Sequence, residues 1–215
     1  MTISPRLAGL YAIADTHYLD DARLSTAVSE AILGGARVIQ YRDKKHDAES
    51  RLAQAREVAK LCRQHNVLFL VNDDIELAKQ AWASGVHLGR EDAALAEART
   101  MLGLQAIIGV SCYNELARAE KAQTQGADYV AFGSFYPSRT KPQAVRANLE
   151  LLCAAKQKLR LPVVAIGGIT PENGAHLVAA GADALAVIEG VFGQEDVRAA
   201  ARRYARLFTK SKSRK

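Results

Sequence analysis

Apolar residues fall along this chain in two alternating rhythms. One has the period of a helix and ends on a glycine; the other is a short continuous run with the length and composition of a buried strand. The pairing is clearest in "LGGARVIQYR" (33–42), "ASGVHLGR" (83–90), "TQGADYVAFG" (124–133) and "AAGADALAVI" (179–188). In each, the glycine closes a helix by accepting a left-handed backbone, and a β-branched or apolar run follows. Between them lie "LYAIAD" (10–15), "VLFLVND" (67–73), "AIIGVS" (106–111) and "PVVAIGG" (162–168), which brings the candidate strands to eight.

The intervening stretches predict helices: "DARLSTAVSEAIL", "DAESRLAQAREVAKLCRQ", "DIELAKQAWA", "DAALAEARTML", "NELARAEKAQTQ", "NLELLCAAKQKL", "PENGAHLVAA" and "EDVRAAARRYARLF". Several open on an Asp or Asn able to cap, or on a proline in the first turn. Near-continuous apolar strands alternating with helices imply a parallel sheet buried on both faces. The expected fold is α/β, a closed (β/α)8 TIM barrel forming a single domain over 1–208, with 209–215 as a basic tail. An open doubly wound sheet is the alternative, but the units look equivalent and no strand order reverses. No Pro-, Gly- or Ser-rich linker divides the chain.

Composition narrows the class. Hydrophobic residues make up 49% and charged ones 24%, ordinary for a globular protein. No apolar run is long enough to cross a bilayer, and "MTISPRLAG" lacks a signal pattern, so no membrane partner is expected. Cys62, Cys112 and Cys153 lie far apart without a CxxC pair and read as reduced thiols in a cytoplasmic protein, with no structural zinc. The net charge of +6 is concentrated in "ARRYARLFTKSKSRK". Without that segment the chain is close to neutral, which favours a solvated tail over a nucleic-acid arm.

Chemistry in such barrels collects at the C-terminal ends of the strands. Asp15 ends the first run; Gln40, Arg42, Asp43 and Lys44 end the second; Asn72 and Asp73 end the third; Glu91 and Asp92 follow the fourth. Ser111 ends the fifth, "SRTKP" (138–142) follows the sixth, "GGIT" the seventh and "IEG" the eighth. Arg42 and Lys44 are two apart and so share a direction in extended chain. With Lys141 they would place three cations on one rim, suited to a diphosphate. Taken singly, each reads equally well as a surface cation.

Asp73 and Asp92, without sulfur or imidazole beside them, suit Mg²⁺, although helix capping also accounts for Asp92. The last two turns, "AIGGIT" and "AVIEG", let backbone amides approach a phosphate. No Ser–His–Asp arrangement is legible. His65 and His176 fall in predicted helices, and His87 reads as a packed strand histidine.

Together "YAIAD", "VIQYRDK", "LVND", "GVHLGRED", "IGVS", "GADYVAFGSFYPSRTKP", "PVVAIGGIT" and "ADALAVI" resemble the thiamine-phosphate synthase family, in order, over roughly residues 8 to 195. The resemblance implies condensation of 4-amino-2-methyl-5-hydroxymethylpyrimidine diphosphate with a thiazole phosphate, giving thiamine phosphate and pyrophosphate. By motif, Gln40, Arg42 and Lys44 would hold the pyrimidine diphosphate within the stretch that includes Tyr41 and Asp43, together with Asn72, Ser111 and Lys141. Asp73 and Asp92 would bind Mg²⁺. Ser138, Arg139 and Thr140, with backbone at Gly168, Ile188 and Glu189, would hold the thiazole phosphate. Arg42, Lys44, Lys141 and Ser111 would carry catalysis by neutralising the departing pyrophosphate.

Two positions depart from the family pattern. Ser138 replaces a threonine and keeps the hydroxyl, whereas Glu189 replaces a serine and can serve a phosphate only through its backbone N–H. A thiazole tautomerase-like isomerase and a non-catalytic ligand-binding barrel are the competing readings. The former has no use for the full cation set. The small-molecule substrates are the expected partners, and a homo-oligomer is compatible with the sequence.

Overall fold

In a computed structural model, which describes residues 7–89, 95–138 and 143–209, the alternating rhythms become alternating strands and helices. The strands are β1 (Gly9–Asp15), β2 (Ala36–Arg42), β3 (Leu68–Asn72), β4 (Gly85–Leu88), β5 (Ile107–Tyr113), β6 (Tyr129–Gly133), β7 (Val163–Ile166) and β8 (Ala184–Val187). They form a closed parallel barrel in chain order, β1 to β8, sealed by pairing of Gly9 with Ala184. Closure leaves no edge strand to protect.

The helices are α1 (Asp21–Leu33), α2 (Ala48–Gln64), α3 (Ile75–Gln80), α4 (Leu95–Leu102), α5 (Leu116–Thr124), α6 (Leu149–Lys158), α7 (Pro171–Ala179), α8 (Glu189–Phe192) and α9 (Val197–Thr209). Asp20, Asp47, Asp74 and Asn148 cap α1, α2, α3 and α6 through side-chain oxygens. Thr170 and Asn173 make a reciprocal capping box with Pro171 at the first turn of α7.

Two differences from the sequence reading have local causes. The third predicted helix stops early, because Ala81 caps it and Trp82 turns to φ +51. The four-residue α8 was not expected; it lies within the turn after β8, too short to show a period.

Strand alternation builds two cores. Residues such as Ile39, Phe69 and Val86 face the helix layer. Their neighbours Val38, Leu70, Ile13 and Val164 face inward and fill the barrel. The same alternation carries Gln40, Arg42, Asn72, His87 and Ser111 inward at the C-terminal ends of their strands, all on the wall of one cavity. Among the described residues, no helix is long and apolar enough to cross a membrane.

Candidate active site

The cavity at the C-terminal mouth of the barrel holds about 420 Å³, enough for a small ligand. Its floor is a line of hydrogen-bonded side chains. Asn72 Nδ2 donates to Asp73 Oδ2 at 2.6 Å, and Gln40 Nε2 donates to Asn72 Oδ1 at 2.7 Å. Tyr11 donates its hydroxyl to Gln40 Oε1 at 2.6 Å and lies 2.9 Å from the Tyr129 hydroxyl. Tyr129 in turn lies 2.8 Å from His87 Nδ1, and His87 Nε2 lies 2.9 Å from Ser111 Oγ. Burial pushes both the Tyr11 and Tyr129 phenols well above the usual tyrosine range, so they remain protonated.

Cations occupy one side of the rim. Arg42 is paired with the buried Asp15, whose other oxygen accepts from the His17 amide at 3.0 Å. Lys44 Nζ lies 2.9 Å from Asp73 Oδ2 and is more than half exposed. Asp73 itself adopts φ +64, a left-handed conformation that Asp tolerates better than most residues. Asp74 serves as the cap of α3 and pairs with Arg51 at 2.8 Å, which separates the capping carboxylate from its neighbour at the rim.

The opposite side is built from the loops after β7 and β8. Gly167 and Gly168 have φ +105 and +58. A Cβ at Gly168 would lie 2.1 Å from the Pro137 carbonyl oxygen, so only glycine lets this loop pass against the loop after β6. Tyr204 of α9 donates to the Ile169 carbonyl at 2.9 Å and props this loop from below. Ile188 precedes α8 without providing a side-chain cap, and Ile188, Glu189 and Gly190 line the cavity.

A family model described as thiamine monophosphate synthase matches residues 10–191. The chain belongs to the thiamine monophosphate synthase family. A thiamine-phosphate synthase of Nitrosococcus oceani is 50% identical over 96% of this chain and 95% of its own length. Another, from Thiobacillus denitrificans, is 54% identical over 93% and 94%. Among solved structures, a thiamine phosphate pyrophosphorylase from Pyrococcus furiosus is 33% identical, with a TM-score of 0.86 over 96% of this chain and 98% of that one.

The family motifs fall unevenly on the cavity. Gln40, Arg42, Asn72, Ser111, Ser138, Gly168, Ile188 and Glu189 line it. Lys44 and Asp73 meet each other beside Asn72. Tyr41 and Asp43 are not among the residues that line it. Tyr41 alternates outward into the helix-facing core, where its hydroxyl lies 2.8 Å from Gln54 Oε1 and 3.0 Å from Asp43 Oδ2 and can donate its one hydrogen to either.

Asp43 is buried and organises the loop that carries Lys44. It accepts from Thr16 Oγ1 at 2.8 Å and the Lys45 amide at 2.9 Å, and contacts His46 Nδ1 at 2.8 Å. Burial opposes its charge, but these hydrogen bonds outweigh burial and hold its carboxyl well below the usual range. Asp92, Arg139, Thr140 and Lys141 lie outside the described residues.

Sequence reasoning passed over Tyr11 and Tyr129, noted Asp15 at its strand end without giving it a role, and took His87 for a packing residue. His87 does stack on Tyr129, with centroids 5.5 Å apart, yet both its ring nitrogens contact hydroxyls, the buried one of Tyr129 and that of Ser111 on the cavity wall. A tyrosine at an inward position of a barrel strand was the available signal, since a buried phenol needs a partner.

Proposed function

We propose that this chain is a thiamine-phosphate synthase, joining 4-amino-2-methyl-5-hydroxymethylpyrimidine diphosphate to a thiazole phosphate and releasing pyrophosphate. The observation that carries the reading is the juxtaposition of Arg42, Lys44 and Asp73 on the rim beside a floor of Gln40, Asn72 and Ser111. An isomerase of a thiazole phosphate would need neither this cation set nor the carboxylate. The near-full-length relatives at about 50% identity that bear the synthase name support the same choice.

In this reading the pyrimidine ring lies on the polar floor and the diphosphate reaches Arg42 and Lys44. The guanidinium, oriented by Asp15, offers a planar fork, and the ammonium offers a point charge. Both strengthen their hold as charge develops on the departing pyrophosphate. The aminopyrimidine stabilises the benzylic-type cation left behind, and the thiazole nitrogen attacks it. No side chain need form a covalent bond.

The thiazole phosphate fits the loops after β7 and β8, where barrels of this kind place phosphates against a short extra helix, here α8. Asp73 presents a hard carboxylate oxygen at the rim, the donor type that suits Mg²⁺. Asp73 would hold the ion with Asp92, and the ion would neutralise diphosphate charge there.

Turnover with both substrates, with and without Mg²⁺, tests the proposal. Thiamine phosphate and pyrophosphate should appear in equal amounts, and chelation of the metal should stop their formation. Isomerisation of a thiazole phosphate alone, without pyrophosphate release, would instead identify an isomerase.

A further inference from the structure

The floor of the cavity is a hydrogen-bonded wire, and its direction follows from the chemistry of its end. Asp73 Oδ2 already receives Lys44, and a carboxylate oxygen accepts, so Asn72 must present its amide nitrogen there. That turns the Asn72 carbonyl toward Gln40, which must answer with its own nitrogen. The Gln40 carbonyl then faces Tyr11 and can only accept, so the Tyr11 hydrogen is committed to it.

Tyr11 is left as the acceptor toward Tyr129, which commits the Tyr129 hydrogen as well. Tyr129 can therefore only accept from His87 Nδ1. A neutral imidazole with its hydrogen on Nδ1 has a bare Nε2, and Ser111 must donate to it. The raised titration of both phenols keeps these two hydrogens in place.

We propose that this wire locks His87 as the Nδ1–H tautomer and so presents Ser111 to the cavity as a hydrogen-bond acceptor, making Tyr11, Tyr129 and His87 positioning residues for ligand selection. The remaining capacity along the floor has a polarity. Gln40 Nε2 and Asn72 Nδ2 each carry a second N–H, so the β2–β3 side offers donors while the β5 side offers the lone pairs of Ser111.

A heteroaromatic ring with a bare ring nitrogen on one side and an exocyclic amino group on the other complements this floor. Its 4-oxo counterpart has the opposite polarity at both places. Selection of amino over oxo pyrimidine rests on the synthase reading above; the tautomer of His87 does not.

Long-range ¹H–¹⁵N correlation of the ¹⁵N-histidine-labelled full chain, at mildly alkaline pH without ligand, reads the tautomer directly; His87→Gln assigns the signal. Parent protein should show Nδ1–H. Tyr11→Phe, which removes a hydroxyl that does not touch His87, frees the Tyr129 hydrogen to donate to Nδ1. The tautomer should then switch to Nε2–H. Tyr129→Phe should switch it too, and serves if the first variant does not fold. A parent His87 that is Nε2–H or cationic, or a tautomer unmoved in both variants, overturns the wire.

The second arm measures binding of the 4-amino pyrimidine diphosphate and of its 4-oxo analogue. The amino preference should fall roughly ten- to a hundredfold in Tyr11→Phe, the effect of exchanging one satisfied polar contact for a mismatched one. An unchanged preference despite a switched tautomer overturns the selection role. Binding of neither probe, with the tautomer as expected, tells against the synthase reading and the selection role and leaves the wire standing.

Discussion

A methyl group added at Gly109 should disable the floor of the cavity from behind. Gly109 lies on β5 directly beside Tyr129 of β6, and a Cβ there would stand 1.9 Å from Tyr129 Cζ and 2.4 Å from its hydroxyl oxygen. No rotation of the methyl relieves this, so the Tyr129 ring must move. Overpacking of this kind costs about 1–3 kcal/mol. Displacing the ring also breaks the contacts of its hydroxyl with Tyr11 and His87, at 2.9 and 2.8 Å. Two buried hydrogen bonds contribute about 1–3 kcal/mol more.

For a domain of this size each kcal/mol moves the melting temperature by about 2–4 °C, so Gly109→Ala should lower it by on the order of 10 °C. Turnover should fall as well, because His87, which holds Ser111, loses its contact with Tyr129. Adding Tyr129→Leu to Gly109→Ala removes the ring and should recover much of the stability without recovering the turnover. The assay pairs thermal unfolding with steady-state kinetics on the single and double variants. If Gly109→Ala melts within about 2 °C of the parent, the shift expected for under 1 kcal/mol, and turns over normally, the reasoning fails.

Three further outcomes are expected. Asp15→Ala frees the Arg42 guanidinium; breaking a buried pair costs about 3–5 kcal/mol, reduced here to about 1–3 because the Arg42 side chain is 22% exposed. It should show mainly as a higher KM for the diphosphate substrate. Asp73→Ala should abolish Mg²⁺-dependent turnover with little change in unfolding temperature; metal dependence retained at the parental level would remove Asp73 from any metal site.

Asp43 has a carboxyl held below its ordinary value of 3.8, so its stabilisation is complete above that value and is lost as pH falls through the depressed one. The gap in unfolding temperature between the parent and Asp43→Asn should therefore be level near neutrality and close in strong acid. A gap that widens as pH falls would show the sign to be wrong.

The barrel was legible because each unit repeats one local rule. The glycine before a strand and the apolar run after it need no knowledge of the rest of the chain, and eight repetitions imply closure. Alternation along β2 likewise separates Gln40 and Arg42 from Tyr41, although reading the whole stretch as a binding motif obscured this. The partners of the inward residues were not legible. His87 meets Tyr129 across 42 positions and Tyr11 meets Tyr129 across 118, separations set by barrel register. The hub role of Asp43 was hidden for the same reason, since Thr16 reaches it from the preceding unit. The four residues of α8 carry too little pattern to announce a helix.

The seam between β1 and β8 has a consequence for how the molecule comes into being. Of the eight strands β1 is made before the others, and its sealing partner begins only at Ala184. Throughout most of synthesis the growing sheet has two open ladders that any other nascent chain could join. The same seam makes inheritance of activity all-or-none: a message truncated anywhere before β8 yields a sheet with a missing wall and no hollow to receive a ligand. A frameshift at any point before β8 should therefore be as damaging as one within β1.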